Sequence, residues 1–209
     1  MKVVGMVSGI IAPILYMVLI LVLGFLETGY NHLTDMMSIL GGVEGIRGYA
    51  FNIGVMAIGL LVALFAIGIH HALNDGQGSK VGPIMLAIGG VGLFLSGIFH
   101  CDAGCANFLA RTPIGIMHMI VALIGGMFTA LSLFAFFFRT RGTPEWHLLG
   151  LFTLLMALLG NGAGILLWIA YGMDIFDEIQ GLIQRLGIIF PLLWIFVISI
   201  WMMKSLRSS

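Results

Sequence analysis

The chain has 209 residues, 60% of them hydrophobic and 9% charged, with nine basic against nine acidic side chains. An ordinary soluble domain carries about a quarter charged residues, so this composition excludes a surface built for water. Balanced charge without a basic tract excludes a nucleic-acid binder. Thirty glycines suit helices that approach backbone to backbone in a membrane.

Six apolar segments reach the length of about 20 residues that a membrane helix needs. They are Val3–Leu26, Tyr49–His70, Val81–His100, Pro113–Phe138, His147–Tyr171 and Leu186–Met203. The first follows Lys2 and is too long for a signal-peptide core of roughly 7–15 residues. No small-residue cleavage site follows it, so it reads as an uncleaved helix. Turn clusters at Asn74–Gly78 and Arg141–Glu145 separate later segments. No stretch remains for a soluble domain, and the expected fold is all-α, one transmembrane domain over residues 1–209.

The first long loop, Glu27–Gly48, places Leu33, Met36, Met37 and Leu40 at helical spacing. This predicts a short amphipathic helix at the membrane interface. Basic residues divide six to three: Lys2, Lys80, Arg139, Arg141, Lys204 and Arg207 against Arg47, Arg111 and Arg185. The positive-inside rule then puts both termini in the cytoplasm of a multi-pass cell-membrane protein. Most acids fall on the opposite side. Outward-running helices end near Glu27, Asp102 and Asp174, and inward-running ones begin after Arg47, Arg111 and Arg185. No residue-level repeat accompanies this threefold pattern.

Stripes of small and polar residues mark faces that turn into the bundle. On the second helix these are Asn52, Met56, Gly59, Ala63, Ala66 and His70; on the third, Gly89, Gly92, Ser96 and His100. The fourth carries Gly115, His118, Ala122, Gly125, Thr129 and Ser132, and the fifth Ala157, Asn161, Gly164, Trp168 and Tyr171. Asn161 reads first as an interhelical hydrogen bonder and second as a ligand contact. Thr112 and Pro113 make an N-cap and a first helical residue. His118 then lies inside the apolar span, where an ionisable residue is a functional candidate; a structural hydrogen bond to a neighbouring helix is the equal alternative. Both cysteines, Cys101 and Cys105, sit in the polar run His100–Cys105 and predict a disulfide in an oxidising compartment. A zinc site using His100, Cys101, Cys105 and His118 lacks the usual paired Cys-x-x-Cys spacing, and His100, Asp102 and His118 are the other metal candidates. His70, His71 and His147 sit at helix ends beside loops.

Three stretches carry a resemblance: Tyr30 through Ser38-Ile39-Leu40-Gly41; Gly97-Ile98-Phe99-His100-Cys101-Asp102 with the downstream His118; and Gly181-Leu182-Ile183-Gln184-Arg185. Together they resemble the domain-of-unknown-function 998 family of six-helix membrane proteins, which implies that fold and a membrane location but no reaction. The resemblance singles out Ser38, Asp102, His118, Gln184 and Arg185; His100 departs from it, since the family carries Pro there. The residues themselves lead to a first hypothesis of a pocket for a lipid-like or small apolar substrate. Arg185, Gln184, Asn52 and Asn161 would bind it, and Asp102, His118 and Ser38 would supply hydrolytic chemistry. A non-enzymatic subunit packing against a homo-oligomer or membrane-complex partner is the second hypothesis, and a haem-binding redox protein the third. No cofactor is assigned by the sequence.

Overall fold

A computed structural model of the chain describes residues 1–73, 80–103, 112–142, 147–173 and 175–208. Six helices long and apolar enough to cross a membrane make up the molecule. They are α1 (Lys2–Leu26), α2 (Ile46–Ala72), α3 (Val81–Ile98), α4 (Pro113–Thr140), α5 (His147–Met173) and α6 (Gln180–Ser208). No strand occurs among the described residues. Each helix packs on its neighbours in sequence, and α1 closes against α6 to complete a ring.

Glycine sets how closely the helices approach. A Cβ on Gly5 would stand 2.4 Å from the Gly68 Cα, so α1 and α2 touch backbone to backbone. A Cβ on Gly92 would meet the Gly125 Cα at 2.5 Å, and one on Gly89 would meet the Thr129 hydroxyl. The α3 and α4 stripes therefore do face each other, but along this half of α4 they serve packing. Buried hydroxyls bond within their own helices, as with Ser8 to the Val4 carbonyl and Ser199 to that of Ile195. This is how a polar group is satisfied without water. The core away from the Asp102 end is filled by Trp194, whose ring lies 4.8 Å from Phe136 and 6.1 Å from Phe65. Its indole N–H donates to the Thr153 hydroxyl of α5 at 2.8 Å.

Two local expectations change. The loop after α1 forms a six-residue 3-10 turn, Met37–Gly42. Met37 and Leu40 are buried there while Leu33 is half exposed, so the four residues do not share one helix face. Helix α6 starts at Gln180, six residues before Leu186. Its first turns are polar in sequence, and the loop after α1 supplies the partners that let them enter the bundle.

Candidate functional site

The segment 33–37 is fastened to the start of α6. Gly181 and Leu182, whose N–H groups have no intrahelical partner at a helix start, donate to the carbonyls of Thr34 and Leu33. Gln184 Oε1 accepts from the Met37 N–H at 2.6 Å. Arg185, 9% exposed, donates to the carbonyls of Asp35 at 2.9 Å and Gly181 at 2.8 Å. Its second terminal nitrogen bonds the Tyr30 hydroxyl and lies 3.3 Å from His32 Nδ1. The guanidinium also stands 5.6 Å from the Tyr30 ring centroid, in cation–π range. His32 Nδ1 thus faces a donor, which puts the ring proton on Nε2, a buried atom without a partner. Burial first, and the Arg185 charge second, lower the His32 pKa from its ordinary value.

Other contacts hold the same end together. Asn52 Nδ2 donates to the Gly41 carbonyl at 2.9 Å, fixing the 3-10 turn to α2. Gly42 allows that turn to lie on the Cys101 and Asp102 carbonyls, where a Cβ would approach to within 2.9 Å of both. Asp102 accepts from the Thr112 N–H at 3.2 Å and from its hydroxyl. Thr112 caps α4 as expected, accepting from the Gly115 N–H at 3.1 Å. A carboxylate at a helix N-terminus is in a favourable field. At the start of α2, Arg47 pairs with Glu27 at 3.4 Å, and these two residues flank the first loop of the threefold charge pattern. Arg111 and Asp174, which mark the other two loops of that pattern, lie outside the described residues.

His118 Nδ1 lies 2.7 Å from the Phe99 carbonyl and 3.3 Å from that of Ser96. Both neighbours are acceptors, so Nδ1 carries the proton and Nε2 keeps a lone pair. The ring borders a cavity of about 610 Å³ between α4, α5 and α6. Ser38, Asp102, Gln184 and Asn161 border the same cavity. Its lining on α4 runs from Gly115 to Ala130, about 22 Å of helix at 1.5 Å per residue. That is more than half of a hydrocarbon core about 30 Å thick. Leu123, Met127, Ile165 and Trp168 form its walls yet remain 39–62% exposed, so it opens sideways between α4 and α5. At its deep end Asn161 Nδ2 donates to the carbonyls of Ala130 on α4, at 3.0 Å, and Ala157. A smaller space of about 180 Å³, toward the bundle centre, shares His118 and Gln184.

Sequence reasoning thus named five residues that the fold gathers around one cavity. Two further candidates lie elsewhere, since neither Arg185 nor Asn52 is among the residues that line either space. Arg185 does not stand in the pocket beside Asp102 and His118; its hydrogen bonds go to the loop after α1 and to its own helix. Asn52 is spent on the 3-10 turn rather than on the cavity. The orienting partner of His118 is a backbone carbonyl, and Asp102 is engaged at the start of α4. His100 is exposed and lies 3.0 Å from the Cys101 carbonyl through Nδ1. No group of three or more metal-ligating side chains is gathered among the described residues. Cys101 is buried, but Cys105 lies outside the described residues, as do the side chains of His147 and Tyr171. Tyr30 and His32 were not singled out as Arg185 partners, because their separation of more than 150 positions leaves no local signal.

The family described as a protein of unknown function (DUF998) matches residues 10–201. No curated protein matches, and no solved structure does. The chain belongs to the DUF998 family, and the match runs from within α1 to within α6.

Proposed function

We propose that this DUF998 member binds a single-tail amphiphile taken from the surrounding bilayer. The head would sit among Ser38, His118 and Gln184, and the tail would lie between α4, α5 and α6. The observation that carries this reading is the side-opening cavity, polar at one end and walled by Leu123, Met127, Ile165 and Ile188 further in. Its volume falls within the roughly 300–1,000 Å³ of small-molecule sites. Binding is favoured over hydrolysis because Asp102 is engaged by Thr112 and does not orient His118. The low burial of α4 and α5 also supports a second reading, in which a second copy or another membrane protein covers that face.

Gly126 provides the test. It lines the cavity, and a Cβ there meets nothing within 4 Å. Gly126→Phe should fill the space without disturbing a helix contact. Lipid extracted from purified wild-type protein and measured by mass spectrometry should contain a stoichiometric amphiphile that the folded variant lacks. Equal lipid in both would overturn the binding reading, and loss of a co-purifying protein instead of lipid would establish the second.

The same proposal places the chain in the cell membrane with both termini cytoplasmic, supported by the six-to-three division of basic residues. Single cysteines introduced at Gly78 and Thr143 should then label only with reagents admitted to the cytoplasmic side. Labelling of either from outside intact cells would reverse the orientation.

A further inference from the structure

Resting on the binding reading, we infer that the amphiphile's head is an uncharged hydroxyl rather than a carboxylate or phosphate. Four observations converge. His118 Nδ1 is committed to the Phe99 carbonyl, so the atom left for the cavity, Nε2, is an acceptor. Gln184 Oε1 is committed to the Met37 N–H, so what it has left is its amide N–H donors. Arg185, the cation adjacent in sequence, is turned into the loop after α1, and no Lys or Arg is among the described residues that line the cavity. Asp102 adds a carboxylate to the same end.

A hydroxyl satisfies this set in both directions, donating to His118 and accepting from Gln184. A carboxylate or phosphate accepts only. It could take the Gln184 proton but would set its lone pairs against His118 Nε2, and would bring negative charge to a low-dielectric site. A methyl ether of the same length accepts from Gln184 but has nothing to donate.

The test uses full-length protein in nanodiscs of an uncharged phospholipid at pH 9.5, above the pKa to which a bilayer raises a fatty acid's carboxyl. Hexadecan-1-ol, its methyl ether and palmitate are each titrated against a bound fluorescent alkyl probe. Hexadecan-1-ol should displace the probe at about five- to tenfold lower concentration than the ether, the value of one neutral hydrogen bond. Palmitate should be weaker still. His118→Asn keeps an amide donor near the Nδ1 position for the Phe99 carbonyl and removes the Nε2 acceptor. It should bring the alcohol down to the ether without changing the ether or the thermal midpoint. Palmitate or ether displacing as well as the alcohol would overturn the hydroxyl assignment while leaving amphiphile binding intact. If none of the three displaces the probe, and Gly126→Phe retains it, the binding reading itself fails.

Discussion

Replacing Arg185 by alanine separates a clamp from a ligand contact. The side chain is 9% exposed and reaches two carbonyls, the Tyr30 hydroxyl and His32 Nδ1. Hydrogen bonds to a charged group contribute roughly 1.5–3 kcal/mol each. Burying the guanidinium offsets much of that sum, and its deletion leaves neutral carbonyl and hydroxyl groups unpaired at roughly 1–3 kcal/mol each, so a net loss of about 3 kcal/mol is expected. For a chain of this size about 1 kcal/mol moves the midpoint by roughly 2–4 °C. Thermal unfolding in detergent should therefore fall by about 6–12 °C, and limited proteolysis should cut within residues 27–45 at temperatures where wild type resists. Because Arg185 faces the loop and not the cavity, amphiphile binding should weaken only in step with the loss of stability, through Ser38 on the loosened loop. A variant with wild-type stability that no longer binds amphiphile would refute the clamp and return Arg185 to a head-group role.

Three further outcomes follow from the same contacts. The folded-state pKa of His32 is depressed, so the unfolded chain takes up its proton first as pH falls. Its contribution is whole above 6.5, the unfolded value, and is lost as pH drops below it toward the lower folded pKa; His32→Gln should flatten that part of a stability–pH curve. Gly92→Leu would drive a side chain into the Gly125 backbone and should cost at least the roughly 1–3 kcal/mol of an overpacked core, seen as a lowered thermal midpoint, whereas Gly126→Leu should not. A Cys101–Cys105 disulfide, expected from the sequence alone, would close a very short loop, so its contribution would lie below the roughly 3 kcal/mol of a 15-residue loop. Alkylation without reductant followed by mass spectrometry should find neither thiol modified, and two modified thiols would refute the bond.

The helices were legible because hydropathy over 20 residues is a local property. So was the cap at Thr112-Pro113, since its partner Gly115 is three positions away. The small-residue stripes indicated which faces turn inward, but not whether an inward face packs or lines a space. Gly125 and Gly126 are consecutive, and one touches Gly92 while the other has nothing within 4 Å of its Cβ position. The helix-period pattern in the first loop was overridden by burial: Met37 and Leu40 seat in the bundle, Tyr16 approaches the Met37 sulfur at 3.8 Å, and the backbone tightens into a 3-10 turn. From the sequence, Arg185 was expected to bind a substrate. Carbonyl oxygens and a hydroxyl from a distant loop satisfied it instead, and no sequence spacing marks such partners. His118 was identified as inward-facing, while the atom it leaves for the cavity depends on the Phe99 carbonyl at the end of α3.

The central claim is that an alkyl chain occupies the space between α4, α5 and α6, and photo-crosslinking tests it most directly. A hexadecanol bearing a diazirine at mid-chain, equilibrated with the protein in nanodiscs and illuminated, leaves adducts that peptide mass spectrometry can place. The account predicts adducts on the deep walls, at Met127, Ile165 and Ile188, which disappear in Gly126→Phe. Adducts spread over the bilayer-facing residues of α1 and α2, with none on those walls and no change in Gly126→Phe, would contradict it.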